Sequence, residues 1–241
     1  MAEHISRKEL KTDKIHDAIE HSAEAVYSHK QITLGVLLVV LVGAVSWASW
    51  TVYHDRQTAT ASGLLDVAMR AYGGRIGTAP PDPSDPKEIS YPDEKARAND
   101  ALAKFKVVAD KYPSTNPGKL ARYYSALCLE DLERQNQALE NLKKLSSISD
   151  KELADMAKFQ IGIIDARTGK TDDAVKIFRE LAEKQQSVFV PRPLALLEMA
   201  NAMKQTNPKE ATKVYQQIKT EFPDSPVSEE AERSLEMLNK S

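Results

Sequence analysis

Four times in this sequence an alanine is followed by a large apolar residue four positions on and an apolar residue three further. The triplets are Ala101/Phe105/Val108, Ala138/Leu142/Leu145, Ala174/Phe178/Leu181 and Ala211/Tyr215/Ile218, with successive alanines 37, 36 and 37 residues apart. On a helix, positions i, i+4 and i+7 share one face, so each triplet predicts an amphipathic helix. Its alanine admits a close neighbour while the larger side chains fill the remaining space. A unit of this length cannot bury its own apolar face, so the units must stack on one another.

Small or apolar residues recur ahead of the last three triplets: Tyr124, Leu127 and Cys128; Ile161 and Gly162; Leu196, Met199 and Ala200. In the third unit Gly162 precedes a turn at Thr168-Gly169-Lys170, so the unit reads helix, turn, helix. Pro113 and Pro223 each stand 12 residues after the alanine of their unit, where a helix has to stop. A Tyr/Phe-Pro-x-Ser connector occurs at Phe222-Pro223-Asp224-Ser225 and, with its serine one place early, at Tyr112-Pro113-Ser114-Thr115. Ser228 to Leu238 predicts a closing helix behind a cap at Ser228. The Pro- and Gly-rich stretch from Gly73 to Pro92 predicts an exposed loop within a first hairpin whose leading helix covers 56–72.

The run Gly162-x6-Gly169-x4-Ala174-x3-Phe178-x2-Leu181 resembles a tetratricopeptide repeat, a helical hairpin of about 34 residues that stacks into a superhelix. The chain departs from that pattern in its longer period, in Lys158 and Leu196 where one unit has the aromatic Tyr124, and in a turn shortened to Gln135-Asn136-Gln137. The likeness covers about residues 93 to 223 and implies an all-α fold: a solenoid of about four helical hairpins with a C-terminal capping helix. Ala101, Phe105, Cys128, Ala138, Gly162, Ala174, Phe178, Ala211 and Tyr215 are the residues expected to pack it. The connectors are similar to those of bacterial cell-envelope repeat proteins, including the BamD and CpoB types.

Ahead of the repeats, Ile32 to Val52 holds 21 residues without one Asp, Glu, Lys or Arg. As a helix it spans about 31 Å, close to a hydrocarbon core of about 30 Å. Trp47, Trp50 and Tyr53 gather at one end, where amphipathic rings favour the headgroup level. The mean hydropathy of −0.46 conceals this segment, because the rest of the chain is highly charged. A cleaved secretory leader is the rival reading, with small-residue pairs Ser46/Ala48 or Ala59/Ala61 as cutting points. The 31 preceding residues carry six acidic side chains and favour an uncleaved signal-anchor instead. The organisation expected is a tail over 1–31, helical from Arg7 to Ser28; a membrane helix over 32–52; a leading helix and loop over 53–92; and a repeat domain over 93–241. Lys14 and Lys30 before the span balance Arg56 and Arg70 after it. Arg7, Lys8 and Lys11 tip the count towards a cytoplasmic N-terminus and a periplasmic repeat domain.

Catalysis finds little support. All five histidines lie in the first 54 residues, and His4, His16, His21 and His29 show no i, i+4 pairing for a metal. Cys128 is the only cysteine, in a position that suits a small packing residue. Gly73-Gly74-x-x-Gly77 lacks the flanking strand and helix of a phosphate cradle. Asp172-Asp173 and Glu229-Glu230 sit near helix starts, where they complement the macrodipole. No enzyme, cofactor or metal site is expected. With 33 basic against 35 acidic residues and no basic groove interleaved with aromatics, nucleic acid is not an expected partner either.

Stacked hairpins present a concave face formed by the first helix of each pair. Arg122, Ser125 and Leu129, then Phe159 and Ile163, then Leu197 and Asn201 are expected to line it as a peptide groove, unless the superhelix is short and they pack against further helices. The order of tail, membrane helix and four divergent hairpins resembles the YfgM-type ancillary subunits of the SecYEG translocon. That resemblance implies a periplasmic repeat domain and protein partners among translocon subunits, periplasmic chaperones and secreted chains. The alternative is a structural envelope protein coordinating cell-wall or division machinery, as in the CpoB type; a cytoplasmic-facing receptor is a third reading.

Overall fold

A computed structural model describes residues 30–77, 89–184 and 187–240. Its helices are α1 (Lys30–Tyr72), α2 (Glu94–Lys111), α3 (Asn116–Asp131), α4 (Gln135–Leu145), α5 (Lys151–Arg167), α6 (Thr171–Glu183), α7 (Arg192–Met203), α8 (Pro208–Glu221) and α9 (Pro226–Lys240). The chain divides into two compact units, residues 1–56 and 57–241.

In the first unit no other described residue covers the apolar part of α1: Leu34 is 63% exposed and Trp47 69%. Apolar on every side, it is unlike the one-faced helix of a soluble core. Among the described residues it is the one helix long and apolar enough to cross a membrane. The expected span over 32–52 and the expected leading helix over 56–72 belong to this single uninterrupted helix. Trp50 packs against Trp47 with ring centroids 6.0 Å apart and stacks on His54 at 5.4 Å. The helix expected from Arg7 to Ser28, with the first four histidines, lies outside the described residues.

In the second unit the last turns of α1 lead into α2, α3 pairs with α4, α5 with α6 and α7 with α8, and α9 lies on the end of the array. This is an all-α solenoid of four hairpins and a cap. Every residue of the four triplets is at most 1% exposed, as the stacking requirement demands. The nine residues expected to pack the repeats are all buried. One apolar cluster is built from α1 to α5 and a second from α6 to α9. Met156 and Ile177 touch both, while α5 gives Leu153, Ala157 and Ile161 to the first and Phe159 and Ile163 to the second. The core is therefore continuous through α5 and each hairpin is closed only by the next.

Turn chemistry corrects two local expectations. The turn between α3 and α4 is not at Gln135–Gln137, which form the first turn of α4, but at Glu133, whose φ of 61° matches the 82° of Gly169. In both turns the next residue's N–H closes onto a carbonyl five residues back, Arg134 to Leu129 at 2.7 Å and Lys170 to Asp165 at 2.8 Å, the Schellman closure. Glu133 thus occupies a left-handed position that a glycine fills in the next repeat. The Pro-containing connectors are also in closer register than the serine suggests. Tyr112 O accepts the Thr115 N–H and Phe222 O the Ser225 N–H, each at 3.1 Å, so Thr115 is the counterpart of Ser225. Thr115 Oγ1 accepts from Gly118 N and Ser225 Oγ from Val227 N. As a result α9 starts at Pro226, two residues before the expected Ser228, because proline lacks the N–H that a first turn leaves unused.

The loop expected from Gly73 to Pro92 is closed at its base by two short parallel strands, β1 (Arg75–Ile76) and β2 (Ser90–Tyr91), which no periodicity announced. The Tyr91 hydroxyl donates to the Asp100 carboxylate on α2, which also accepts from Lys104. Residues 78–88 lie outside the described residues.

Two glycine-related substitutions should shift stability in opposite directions. A Cβ at Gly162 would stand 2.8 Å from the fully buried Phe178 ring. Overpacking of about 1–3 kcal/mol against roughly 1 kcal/mol of helix propensity gained leaves a net loss, so Gly162→Ala should lower unfolding stability by up to about 2 kcal/mol. Glu133→Gly relieves left-handed strain and loses only the exposed 3.8 Å contact with Lys95, so it should raise stability by about 1 kcal/mol. Urea titrations of both variants measure the two shifts.

Candidate protein-binding surface

The first helices of the hairpins, the last turns of α1 with α3, α5 and α7, set out the face on which a groove was expected. Of these, α3, α5 and α7 are each flanked in the stack by the second helix of their own hairpin and by that of the hairpin before. That double flank decides where the seven expected groove residues go. Ser125 is 2% exposed and its Oγ donates to Ala121 O at 2.8 Å within α3. Leu129, at 3%, belongs to the first core cluster and Leu197, at 2%, to the second. These three are turned into helix–helix contacts and do not face an open groove. Ser125 and Leu129 lie on α3, which packs against both α2 and α4, and Leu197 lies on α7, which packs against both α6 and α8.

The other four are half-buried. Phe159 meets the Phe178 ring edge-on at 5.5 Å, and Ile163 packs against the same cluster. Asn201 Oδ1 accepts the Tyr215 hydroxyl at 2.7 Å. Arg122 lies one turn before Ser125 on α3 and keeps part of its surface in solvent. Phe159, Ile163, Leu197 and Asn201 are thus brought to the second cluster, while Arg122, Ser125 and Leu129 stay with the first.

Further polar and aromatic groups lie along these helices and the ones packed on them. Glu130 on α3, its side chain only 6% exposed, accepts from Gln160 Nε2 at 2.7 Å and from Arg167, both on α5. Burial pushes the Glu130 carboxyl up, and Gln160 and Arg167 pull it back. The pair Glu130/Arg167 is separated by one repeat, a signal that only a known stacking geometry makes readable. Near α1, the Phe105 and Tyr124 rings stack at 5.4 Å and Tyr72 meets both in edge contacts. Burial raises the Tyr72 and Tyr123 hydroxyls to about 12. The Cys128 thiol, fully buried beside them, is raised to about 12 by burial and then by Asp131, as suits a packing group. Among the described residues no group of three or more His, Cys, Asp or Glu side chains is placed to hold a metal. The arrangement offers a mixed surface of partly buried aromatics and satisfied ion pairs, suited to recognising a protein.

In comparison with known families, residues 27–193 match the tetratricopeptide repeat-like domain and residues 194–225 the tetratricopeptide repeat. No curated protein and no solved structure matches the chain.

The last hairpin carries a pH-sensitive group on the same face. Burial raises the Glu198 carboxyl above its ordinary 4.5, offset in part by a hydrogen bond from Asn201 and reinforced by Glu230 on the cap. A carboxyl whose folded value is raised stabilises the fold when protonated and loses that contribution as pH rises through the folded value. Glu198→Gln should therefore compare more favourably with the natural protein at pH 8 than at pH 4. Urea titrations at the two pH values should show the difference narrowing on acidification.

Proposed function

The chain belongs to the tetratricopeptide repeat-like family, and from that premise we propose that it is a single-pass membrane protein whose repeat domain is a scaffold or chaperone-like adaptor in protein export at the inner membrane. Repeat domains of this family typically hold proteins together and do no chemistry of their own, and the buried, high-pKa thiol of Cys128 is in keeping with that. One observation carries the membrane part of the reading. The family match spans residues 27–193, taking in the apolar helix as well as most of the repeats, which supports a helix that stays with the repeats. A removable leader would not be expected to share that match. The packing agrees: Ala61 is fully buried and Leu65, Ala68 and Ala71 follow on the same helix, so a cut at Ala59/Ala61 would remove part of the first repeat's packing.

The mechanism is tethering. An anchor at Ile32 to Val52 confines the repeat domain to a thin layer beside the membrane and raises its effective concentration for partners there. Arg7, Lys8 and Lys11 in the tail support a cytoplasmic N-terminus and a periplasmic repeat domain. The domain order, similar to that of the YfgM-type translocon subunits, supports partners among translocon subunits, periplasmic chaperones and secreted chains.

Photocrosslinkers at Arg122 and Phe159 of the full-length protein in intact cells test the reading. Adducts with translocon subunits or secreted chains are the expected outcome, and recovery of envelope-assembly or division proteins alone overturns it in favour of a structural envelope role. Protease added to spheroplasts should digest the repeat domain; protection would reverse the orientation.

A further inference from the structure

The helix that closes the array, α9, has little apolar surface with which to hold on. Among its described residues only Ala231 is a fully buried apolar side chain, while Val227, Leu235 and Leu238 are partly covered by the second cluster. One ion pair among the described residues joins it to α8, Lys219 to Glu232 at 2.6 Å, and both side chains stay partly in solvent. With so thin a seam, the polar groups across it decide how firmly the cap sits.

Those groups form a relay over three helices. The Tyr215 hydroxyl on α8 donates to Asn201 Oδ1 on α7 at 2.7 Å. Its one proton being used, it accepts from Ser234 on α9, a serine only 7% exposed. The Asn201 amide then has its N–H groups free to donate, and it gives one to the Glu198 carboxylate one turn back on α7. Glu230, four residues before Ser234 on α9, brings a second carboxylate to this seam and acts on both Glu198 and Tyr215. Glu198 is half-buried, so salt screens that repulsion less than it would between two exposed groups. Lys204, on α7 itself, offsets part of it. The charges of the other packed helices are engaged elsewhere. Arg179 and Glu183 of α6 line a cleft with Leu196 and Met199, on another face of α7. On α5, Arg167 is held by Glu130 and Asp165 by Lys170, and on α8, Glu221 is held by Arg192.

We propose that α9 is a pH-responsive cap, held most firmly when Glu198 carries a proton and loosened when Glu198 and Glu230 are both charged. The Asn201 hydrogen bond favours the charged carboxylate, but burial and Glu230 outweigh it, so the Glu198 carboxyl stands above its ordinary value. Its contribution to holding the cap is complete below the ordinary value and is lost as pH rises through the raised one. A loosened α9 uncovers Tyr215 and the end of the second cluster, so pH sets whether the last face of the array is closed or open.

Hydrogen exchange of the full-length protein in uncharged detergent tests the cap, read on α9 at pH 8 and at pH 4 and corrected for the intrinsic pH dependence of exchange. Protection of α9 should rise several-fold on acidification. In Glu198→Gln, neutral at both pH values, α9 should be protected at pH 8 nearly as well as at pH 4, while α2 to α6 behave as in the natural protein. In Glu230→Lys, at an exposed position, the acid response of α9 should be lost or reversed, because a charged Glu198 then meets a cation across the seam. Equal protection of α9 at the two pH values in the natural protein, an unaltered response in both variants, or a rise shared equally by every helix in Glu198→Gln overturns the proposal. Should Glu198→Gln fail to fold, Glu230→Lys decides alone.

Discussion

The repeat domain depends on one contact repeated four times, in which the alanine of a second helix lets its neighbour come close enough for the following large side chain to be sealed. Phe105, Leu142, Phe178 and Tyr215 are each fully buried, yet no single hairpin has enough surface to enclose its own. Enclosure comes from the next hairpin, and for the last of them from α9, where Ala231 is fully buried. Within the third hairpin Gly162 adds a close approach of its own: the α5 backbone lies so near the Phe178 ring that even a methyl group has no room. Stability in such an array is a sum of nearest-neighbour interfaces, so a defect in one repeat is transmitted to the adjoining ones first.

Because that contact uses both flanks of every inner helix, it limits what remains for recognition. Ser125, Leu129 and Leu197 are consumed by packing, and the first-helix face is left with half-buried aromatics and ion pairs that already have partners. Glu130 with Gln160 and Arg167 links consecutive first helices, as an apolar groove would not. What such a repeat domain leaves for protein partners is edges and partly covered side chains, at positions set by the core. At Ser187–Phe189 one such edge is held to α5 by the Glu152 carboxylate, which accepts from Ser187 Oγ and from the Val188 and Phe189 N–H groups.

Much of the fold was legible in the sequence because period and pattern report on burial. The triplets, Gly169, Pro113, Pro223 and the charge-free run from Ile32 to Val52 each have a local physical meaning that needs no partner. The errors fell where a local signal had two readings. Gln135–Gln137 read as a shortened turn, whereas the turn is made by Glu133 in the left-handed conformation that a glycine would have advertised. Thr115 performs the capping role that an early serine obscured. Ser125 and Leu129 share the helix face of true packing residues, and periodicity gives the angle around a helix without saying which neighbour stands there.

By itself, then, the sequence determined that the chain is helical, that its helices come in stacked pairs, and that one segment is apolar on all sides over a membrane's width. These properties follow from side-chain spacing along a single helix, which is a local quantity. Only the tertiary structure decided which half of each amphipathic face is covered, how Glu130 finds Arg167 one repeat away, and that Val188 and Phe189 stay outside. Those outcomes depend on the distance and angle between helices, set jointly by many side chains, and no one segment carries that information alone.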